Sequence, residues 1–408
     1  MRIAFDGTTL TAGRTGVGYY SEHLLQHLAR EVETSGDELI VISNKPITME
    51  QPLPRHVVVH EADRFPLRVA WMQGLAARVL ERIGADVAHF TNGMMPVTAS
   101  TPCVVTVHDM SLRLYPWCHP LRRIVINRPL QLVSIHRADA IVTVSHSTRR
   151  DLLRLHRVSA DRVCVVHEAA SNAFHPVSDA AALDGLRARL GLPERFALYV
   201  GTVEPRKNLG RLVDAFAEAR SRGVRHHLVC AGPYGWRSRG LADRIARLGL
   251  TPYVHFLGYQ RFETLPALYS LSEFFVFPSL YEGFGLPVVE AMACGTPVLT
   301  SNSSSMVEIV AGAALAVDPL DTGALVDAIV QLADDRELRA RLSAAGLARA
   351  AAFSWSQAAR DMLQVYRFAA GRTAPAAVTA HPAVAASEVA ASPGAVARRQ
   401  SLEVPDGP

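Results

Sequence analysis

Short apolar runs alternate along this chain with longer stretches of helical periodicity, and that rhythm predicts parallel strands joined by crossover helices. In the first half the apolar runs predict strands at 3–5, 38–43, 56–60, 87–90, 104–107, 140–144 and 163–166. Helices are expected at 19–30, at 121–137 with a kink or restart at Pro129, and at 149–157. The second half repeats the pattern, with strands at 196–200, 227–230, 254–257, 274–277, 297–300 and 314–317. Its helices are expected at 209–220, 288–294, 321–333 and 335–352, and a last one runs from Ser354-Trp355 to about Ala370. Such alternation implies an α/β protein with two doubly wound parallel sheets. A stretch of weak periodicity and a helix at 179–190 place the linker near 172–195, between domains at 1–175 and 190–354. From Thr373 the chain is mostly Ala, Pro, Ser and Val, which predicts a disordered tail at 373–408.

Composition narrows the class. A chain of 408 residues with 49% hydrophobic and 20% charged residues has material for two cores and reads as globular. A net charge of +4 gives no case for nucleic acid. The 5 cysteines are scattered without a C-x-x-C pair, which favours reduced thiols and a cytoplasmic setting. Asp6 ends the first apolar run early, unlike a signal peptide, and no apolar run approaches a membrane span.

The chemistry gathers where predicted strands end, the edge at which open α/β sheets bind ligands. After the run at 274–277 come Tyr281-Glu282-Gly283-Phe284-Gly285-Leu286, then Pro287 at the first position of a helix that stops at Gly295. A glycine loop feeding a helix N-terminus attracts phosphate. Glu282 and Glu290 flank it; like charge repels phosphate, so their partners would be sugar hydroxyls. A diphosphate between two sugars uses all three features. The structural alternative is that Glu282 solvates a loop and Glu290 favours a helix start. At the preceding strand end, Gly201-Thr202 leads to Arg206 and Lys207, two adjacent cations suited to a pyrophosphate, with Asn208 placed to cap a helix. Gly232 and Gly258-Tyr259 end neighbouring strands, where a nucleobase could pack on Tyr259. In the first half, His108 and Asp109 end the strand at 104–107; Asp109 could equally cap the next turn. Gly16 and Gly18 lie in a loop that lacks the third glycine of a dinucleotide fingerprint.

The run 281–298, together with 198–208, 231–233 and 107–109, resembles glycosyltransferase family 4, retaining enzymes of the GT-B architecture with a Glu-x7-Glu signature. The resemblance covers most of residues 1–370. It implies two Rossmann-like domains facing a cleft and transfer of a hexose from a nucleotide diphosphate sugar. By resemblance, Glu282 holds sugar hydroxyls, Glu290 the nucleotide ribose, His108 the transferred sugar, and Gly16 and Gly18 lie at the cleft. The last helix, 355–370, would pack back on the first domain. Cations then serve the diphosphate in place of a metal, and no cofactor is expected beyond the donor substrate. The runs 201–208 and 282–290 look most like bacterial mannosyltransferases of surface polysaccharide, which favours GDP-mannose and a saccharide or lipid-linked saccharide acceptor. Where relatives carry Asn-Gly, this chain has His167-Glu168, a departure that speaks against a ligand role there. A nucleotide-sugar epimerase and a non-catalytic nucleotide-sugar-binding subunit are the alternatives.

The segment 121–137 mixes Arg122, Arg123, Arg128, His136 and Arg137 with aliphatic residues. A solvated polar face over a core-packed helix is the expected arrangement; contact with an anionic membrane surface is the other.

Overall fold

The computed structural model describes residues 1–11, 16–61, 65, 67–235 and 240–371. The first sheet holds β1 (Arg2–Asp6), β2 (Glu38–Ser43), β3 (Val58–Glu61), β4 (Val87–Phe90), β5 (Cys103–Val107), β6 (Ala140–Thr143) and β7 (Val163–Val165). Its seven strands are parallel, in the order β3-β2-β1-β4-β5-β6-β7. The second sheet holds β8 (Phe196–Val200), β9 (His227–Ala231), β10 (Val254–Gly258), β11 (Phe274–Phe277), β12 (Val298–Ser301) and β13 (Leu315–Val317). It is also parallel, in the order β10-β9-β8-β11-β12-β13. Each order reverses beside its first strand, and a crevice for ligands opens at such a switch point.

Helices cover both sheets. The first domain carries α1 (Gly16–Ser35), α2 (Arg68–Gly74), α3 (Ala76–Ile83), α4 (Ser111–Leu114), α5 (Leu121–Arg137) and α6 (His146–Leu155). The second carries α7 (Ala180–Leu190), α8 (Leu209–Ser221), α9 (Leu241–Arg247), α10 (Leu265–Leu271), α11 (Leu286–Ala293), α12 (Met306–Val310), α13 (Thr322–Asp334) and α14 (Arg336–Ala350). With both faces covered, the central strands have no polar alternation. All four residues of β11 are fully buried, whereas the edge strand β3 is exposed along its length. Asp179, Asp321, Asp335 and Ser354 cap helices through side-chain oxygens, which is why those elements begin where they do.

The last helix, α15 (Trp355–Ala369), crosses back and packs on α1 and β5. Buried Tyr366 hydrogen-bonds His89 at 2.8 Å, and Arg360 pairs with Glu31 at 3.3 Å. The helix thereby ties the end of the second domain to the first.

Several local expectations fail for physical reasons. Helix α1 is longer than 19–30, because Gly16 and Gly18 form its first turn instead of a loop and Val32 continues its buried face. Residues 12–15 lie outside the described residues, as does the segment 373–408. Strand β3 starts two residues later than expected. Helix α5 passes Pro129 without a break. The missing N–H there strands the carbonyl of Val125, and Val125 is 63% exposed, so water can serve it. The short helices α2, α3, α4, α9, α10 and α12 span four to eight residues, too few for a helical period to stand out.

Candidate active site

Three strand ends of the second sheet meet through glycine. Gly201 donates its N–H to the Ala231 carbonyl at 2.9 Å, and Gly232 donates to that of Gly258 at 2.8 Å. A Cβ on Gly232, whose φ is +144°, would overlap the Gly201 carbonyl. Only glycine lets the two turns approach this closely. Beyond Gly201, the Thr202 carbonyl accepts from the Tyr199 hydroxyl at 3.2 Å, and a single turn, 205–207, carries Arg206 and Lys207. Asn208 follows in the left-handed region and does not cap α8: its side chain donates to the carbonyls of Pro278 and Pro319. It pins the cation turn to the end of β11.

Both cations converge on Glu282. Arg206 lies 2.9 Å from one carboxylate oxygen and Lys207 2.7 Å from the other, and the Ser279 hydroxyl donates at 2.5 Å. Arg206 also donates to the Tyr281 carbonyl at 2.7 Å and pairs with Glu204 at 2.9 Å. Burial alone would raise the Glu282 carboxyl, but Arg206 and Lys207 outweigh it and hold it below its ordinary value. The network is therefore ionised and nearly neutral. The loop that follows is fastened by Ser304, which accepts the Glu282 N–H, and by Ser305, which donates to the carbonyls of Glu282 and Phe284. Among the described residues the N–H groups of Gly283, Phe284 and Gly285 have no hydrogen-bond acceptor. Gly285, at φ +104°, starts α11, with Leu286 and Pro287 in its first turn. Unpaired donors beside a helix N-terminus, with two cations close by, are the features a phosphate site needs.

Glu290 sits one turn further along α11 and accepts from the Tyr269 hydroxyl at 3.0 Å. Burial raises its carboxyl to about 7, against the Tyr269 hydrogen bond, and the nearby charge of Glu168 adds to the rise. Tyr259, half exposed, reaches across the cleft to Tyr19, with the hydroxyls 3.3 Å apart, while Tyr19 stacks on Phe262 at 5.0 Å.

The first domain supplies the facing wall. Asp109 accepts from the Ser111 N–H at 2.8 Å and its hydroxyl at 2.6 Å, which fastens the turn leading into α4, whose N-cap is Met110. Burial opposes ionisation of Asp109, but Arg206 and Ser111 keep its carboxyl below the ordinary value. Asp109 thus faces Arg206 while fastening that turn. The His108 ring is spent on protein partners: Nε2 donates to the Thr91 carbonyl at 2.8 Å, and Nδ1 faces Glu168 at 3.2 Å. The two walls touch at Gly283, whose carbonyl accepts from Ser145 at 2.6 Å and Thr148 at 3.3 Å. Gly18 is buried within α1, and Gly16 is exposed at its start.

A second junction lies outside the cleft. Glu308 of α12 accepts from the backbone N–H groups of His146 and Ser147, each at 3.0 Å, and from His167 Nε2 at 2.8 Å. Side-chain atoms of His146, His167 and Glu308 all fall within 4.8 Å of one another, and this is the group among the described residues that could hold a metal ion. Its evident work is to cap α6 across the domain boundary. A cavity of about 520 Å³ between α8 and α9, lined in part by Glu204, Arg211 and Arg244, adjoins the cation turn.

The family model for glycosyl transferases group 1 matches residues 186–349, and that for Glycosyltransferase Family 4 matches residues 15–170. The O-antigen chain mannosyltransferase B of Escherichia coli is 33% identical over 390 residues, spanning 90% of this chain and all of that protein. The chain belongs to glycosyltransferase family 4. Its two sheets adopt the GT-B fold. Sucrose-phosphate synthase from Thermosynechococcus elongatus superposes with a TM-score of 0.71 at 24% identity, over 90% of this chain and 98% of that one. HepE of Anabaena, in complex with UDP and glucose, gives 0.68 at 20%, over 89% and 98%.

In this glycosyltransferase the second-domain positions named from sequence, 201–202, 206–207, 232, 259, 282–286 and 290, line one sheet edge. Sequence reasoning missed that Glu282 is the counter-ion of both cations, it missed Glu308, and it named Glu168 only as a departure from the family pattern. The signal for Glu168 was its place just past β7, at the same ligand-binding edge as His108.

Proposed function

We propose that this glycosyltransferase moves mannose from GDP-mannose, with retention at the anomeric carbon, to a free or lipid-linked saccharide of a surface polysaccharide. The observation that carries the reading is its full-length similarity to an O-antigen mannosyltransferase. The bond from the anomeric carbon to the diphosphate oxygen breaks. The acceptor oxygen bonds to the same face of the sugar, and its proton passes to the departing diphosphate oxygen. Negative charge grows on the diphosphate as it leaves. Arg206, Lys207 and the N–H groups of 283–285 stabilise that charge, part of the cations' pairing passing from Glu282 to the phosphates. Glu282 then accepts hydroxyls of the hexose, Glu290 accepts the ribose, and Tyr259 turns from Tyr19 to cover the base. Asp109 and His108 bound the sugar from the opposite wall.

The test is a panel of GDP, UDP and dTDP sugars with oligomannoside acceptors, read by nucleotide release and by NMR of the new linkage. Transfer from GDP-mannose with an α-linked product supports the reading, and activity persists in EDTA. Use of uridine or thymidine sugars alone overturns the donor, and an inverted product overturns retention. Epimerised donor without acceptor turnover points to an epimerase, and binding without turnover to a non-catalytic subunit.

The exposed face of α5 supports peripheral contact with an anionic membrane. Arg122, Arg123, His136 and Arg137 are exposed as expected, but so are Leu121, Val125 and Ile126, at 74%, 63% and 42%, beside Trp117 at 55%. Residues 110–138 contain five arginines and no acid. Apolar side chains flanked by cations match an anionic interface. Among the described residues no helix is long and apolar enough to cross a membrane. Flotation with phosphatidylglycerol vesicles is expected, with loss in Val125→Asp; equal recovery with phosphatidylcholine alone speaks against it.

A further inference from the structure

Strand β7 delivers Glu168 to the cleft three residues past Val165, with its side chain only 6% exposed. One of its oxygens faces Nδ1 of His108 at 3.2 Å. The other ring nitrogen, Nε2, donates to the Thr91 carbonyl at 2.8 Å. A carbonyl only accepts, so Nε2 carries a hydrogen. The Nδ1–Glu168 bond needs one more proton between its two atoms. Burial works against a charged ring, but the hydrogen bond to Glu168 and that group's charge outweigh it, so that proton rests on His108. His108 is then an imidazolium beside a carboxylate, with no N–H left for a ligand. The second oxygen of Glu168 makes no hydrogen bond among the described residues.

We propose that Glu168 is a substrate-facing, specificity-determining carboxylate, holding His108 with one oxygen and offering the other to a hydroxyl of a sugar in the cleft. The inference deepens the transfer reading above and rests on it for the identity of the ligand as a saccharide. The surroundings agree. Burial would lower the His108 imidazole, but its hydrogen bond to Glu168 and that group's charge raise it instead, with Asp109 adding to the rise. The other titratable neighbours, Tyr20 with its ring edge-on to His108 at 4.7 Å and His89 behind it, are both buried neutral groups. Across the cleft Glu290 feels the Glu168 charge. A hydroxyl between these two carboxylates could donate to either. A site built to accept a hydroxyl discriminates strongly against a ligand lacking it, because the carboxylate is then left buried and unsatisfied.

Two measurements test this. In the ligand-free enzyme, side-chain ¹⁵N spectra assigned with His108→Asn should show a doubly protonated His108 at pH 7.5. In Glu168→Gln the same ring should be neutral. A neutral ring in the wild type, or an imidazolium that survives in Glu168→Gln, overturns the pairing whatever the reaction is. In steady-state transfer, Glu168→Gln, shown folded by circular dichroism, should lose at least tenfold in kcat/KM. A rise in the donor KM places the hydroxyl on the donor, hexose or ribose, and a rise in the acceptor KM places it on the acceptor; an unchanged kcat/KM overturns the proposal. If the wild type transfers no sugar at all, the reading of the reaction fails separately. Calorimetry with GDP-mannose and mannobiose then decides: weaker binding in Glu168→Gln sustains the proposal, and equal affinity overturns it.

Discussion

The junction of the two walls at Gly283 allows a sharp prediction. A Cβ there would overlap the His108 carbonyl oxygen and lie 2.7 Å from the carbonyl carbon and 3.1 Å from Cβ of Asp109. Unstrained carbon contacts sit at about 3.5 Å or more. In Gly283→Ala the 282–285 loop and the strand end at 108–109 must therefore part by about 1 Å. The shift also stretches the 2.6 Å bond from Ser145 to the Gly283 carbonyl. It moves Glu282 and the free N–H groups away from the facing wall while leaving both cores untouched. A misplacement of about 1 Å can lower turnover roughly a hundredfold. We expect that loss in kcat, with circular dichroism unchanged and the melting temperature lower by only a few degrees. The assay is nucleotide release under saturating donor and acceptor. Wild-type kcat in a folded Gly283→Ala variant would falsify the closeness of the walls as a functional requirement.

Three further outcomes are expected. Glu282→Gln leaves Arg206 and Lys207 without their common counter-ion and weakens a hydroxyl acceptor; a charged hydrogen bond contributes about 1.5–3 kcal/mol, so kcat should fall roughly ten- to a hundredfold, and an unchanged kcat would refute the role. The Glu290 carboxyl titrates at about 7, above its ordinary value, because burial disfavours the ionised form. Its stabilising effect is complete below the unfolded value and lost as pH rises to about 7, so this group's contribution to the wild-type melting temperature should fall from about pH 5 to 7 and level off above that. Glu290→Gln should flatten that fall while weakening nucleotide binding, and parallel melting profiles would count against it. Glu308 is the reverse case: burial opposes its ionisation, but His167 and the α6 N–H groups keep its carboxyl below the ordinary value. Its contribution is present at neutral pH and lost on acidification, so Glu308→Ala should cost about 1–2 kcal/mol at pH 7, seen in chemical denaturation, and less at pH 4.

The fold was legible because strands buried on both faces leave unbroken apolar runs. β11 occupies the predicted residues 274–277, bounded by Pro278 and Ser279. The loop and helix after it were legible too, since Gly283, Gly285 and Pro287 restrict the backbone locally. Pairings across long sequence separations were not. Glu282 lies 75 residues from Lys207 and 76 from Arg206, and nothing local announces that the three share one network. The exposed aliphatics of α5 were misjudged for a related reason. Periodicity shows that a helix has two faces, but which face meets the core depends on what the sheet already covers.

The two domains are joined by contacts of unequal strength, and the inequality bears on how a donor gets in. Gly283 with Ser145, and Glu308 with the start of α6 and His167, are buried and hydrogen-bonded, two of them through a carboxylate that must not lose its partners. The tyrosine side carries a 3.3 Å hydroxyl contact between Tyr19 and Tyr259, the stack of Tyr19 on Phe262 and a ring contact of His23 with Phe262. An exposed hydroxyl bond contributes about 1 kcal/mol and an aromatic pair about as much, whereas stripping a buried carboxylate of its donors costs several times that. On the transfer reading proposed above, a donor is therefore expected to enter from the tyrosine side, freeing Tyr259 while the Arg206–Lys207–Glu282 network stays assembled on the second domain.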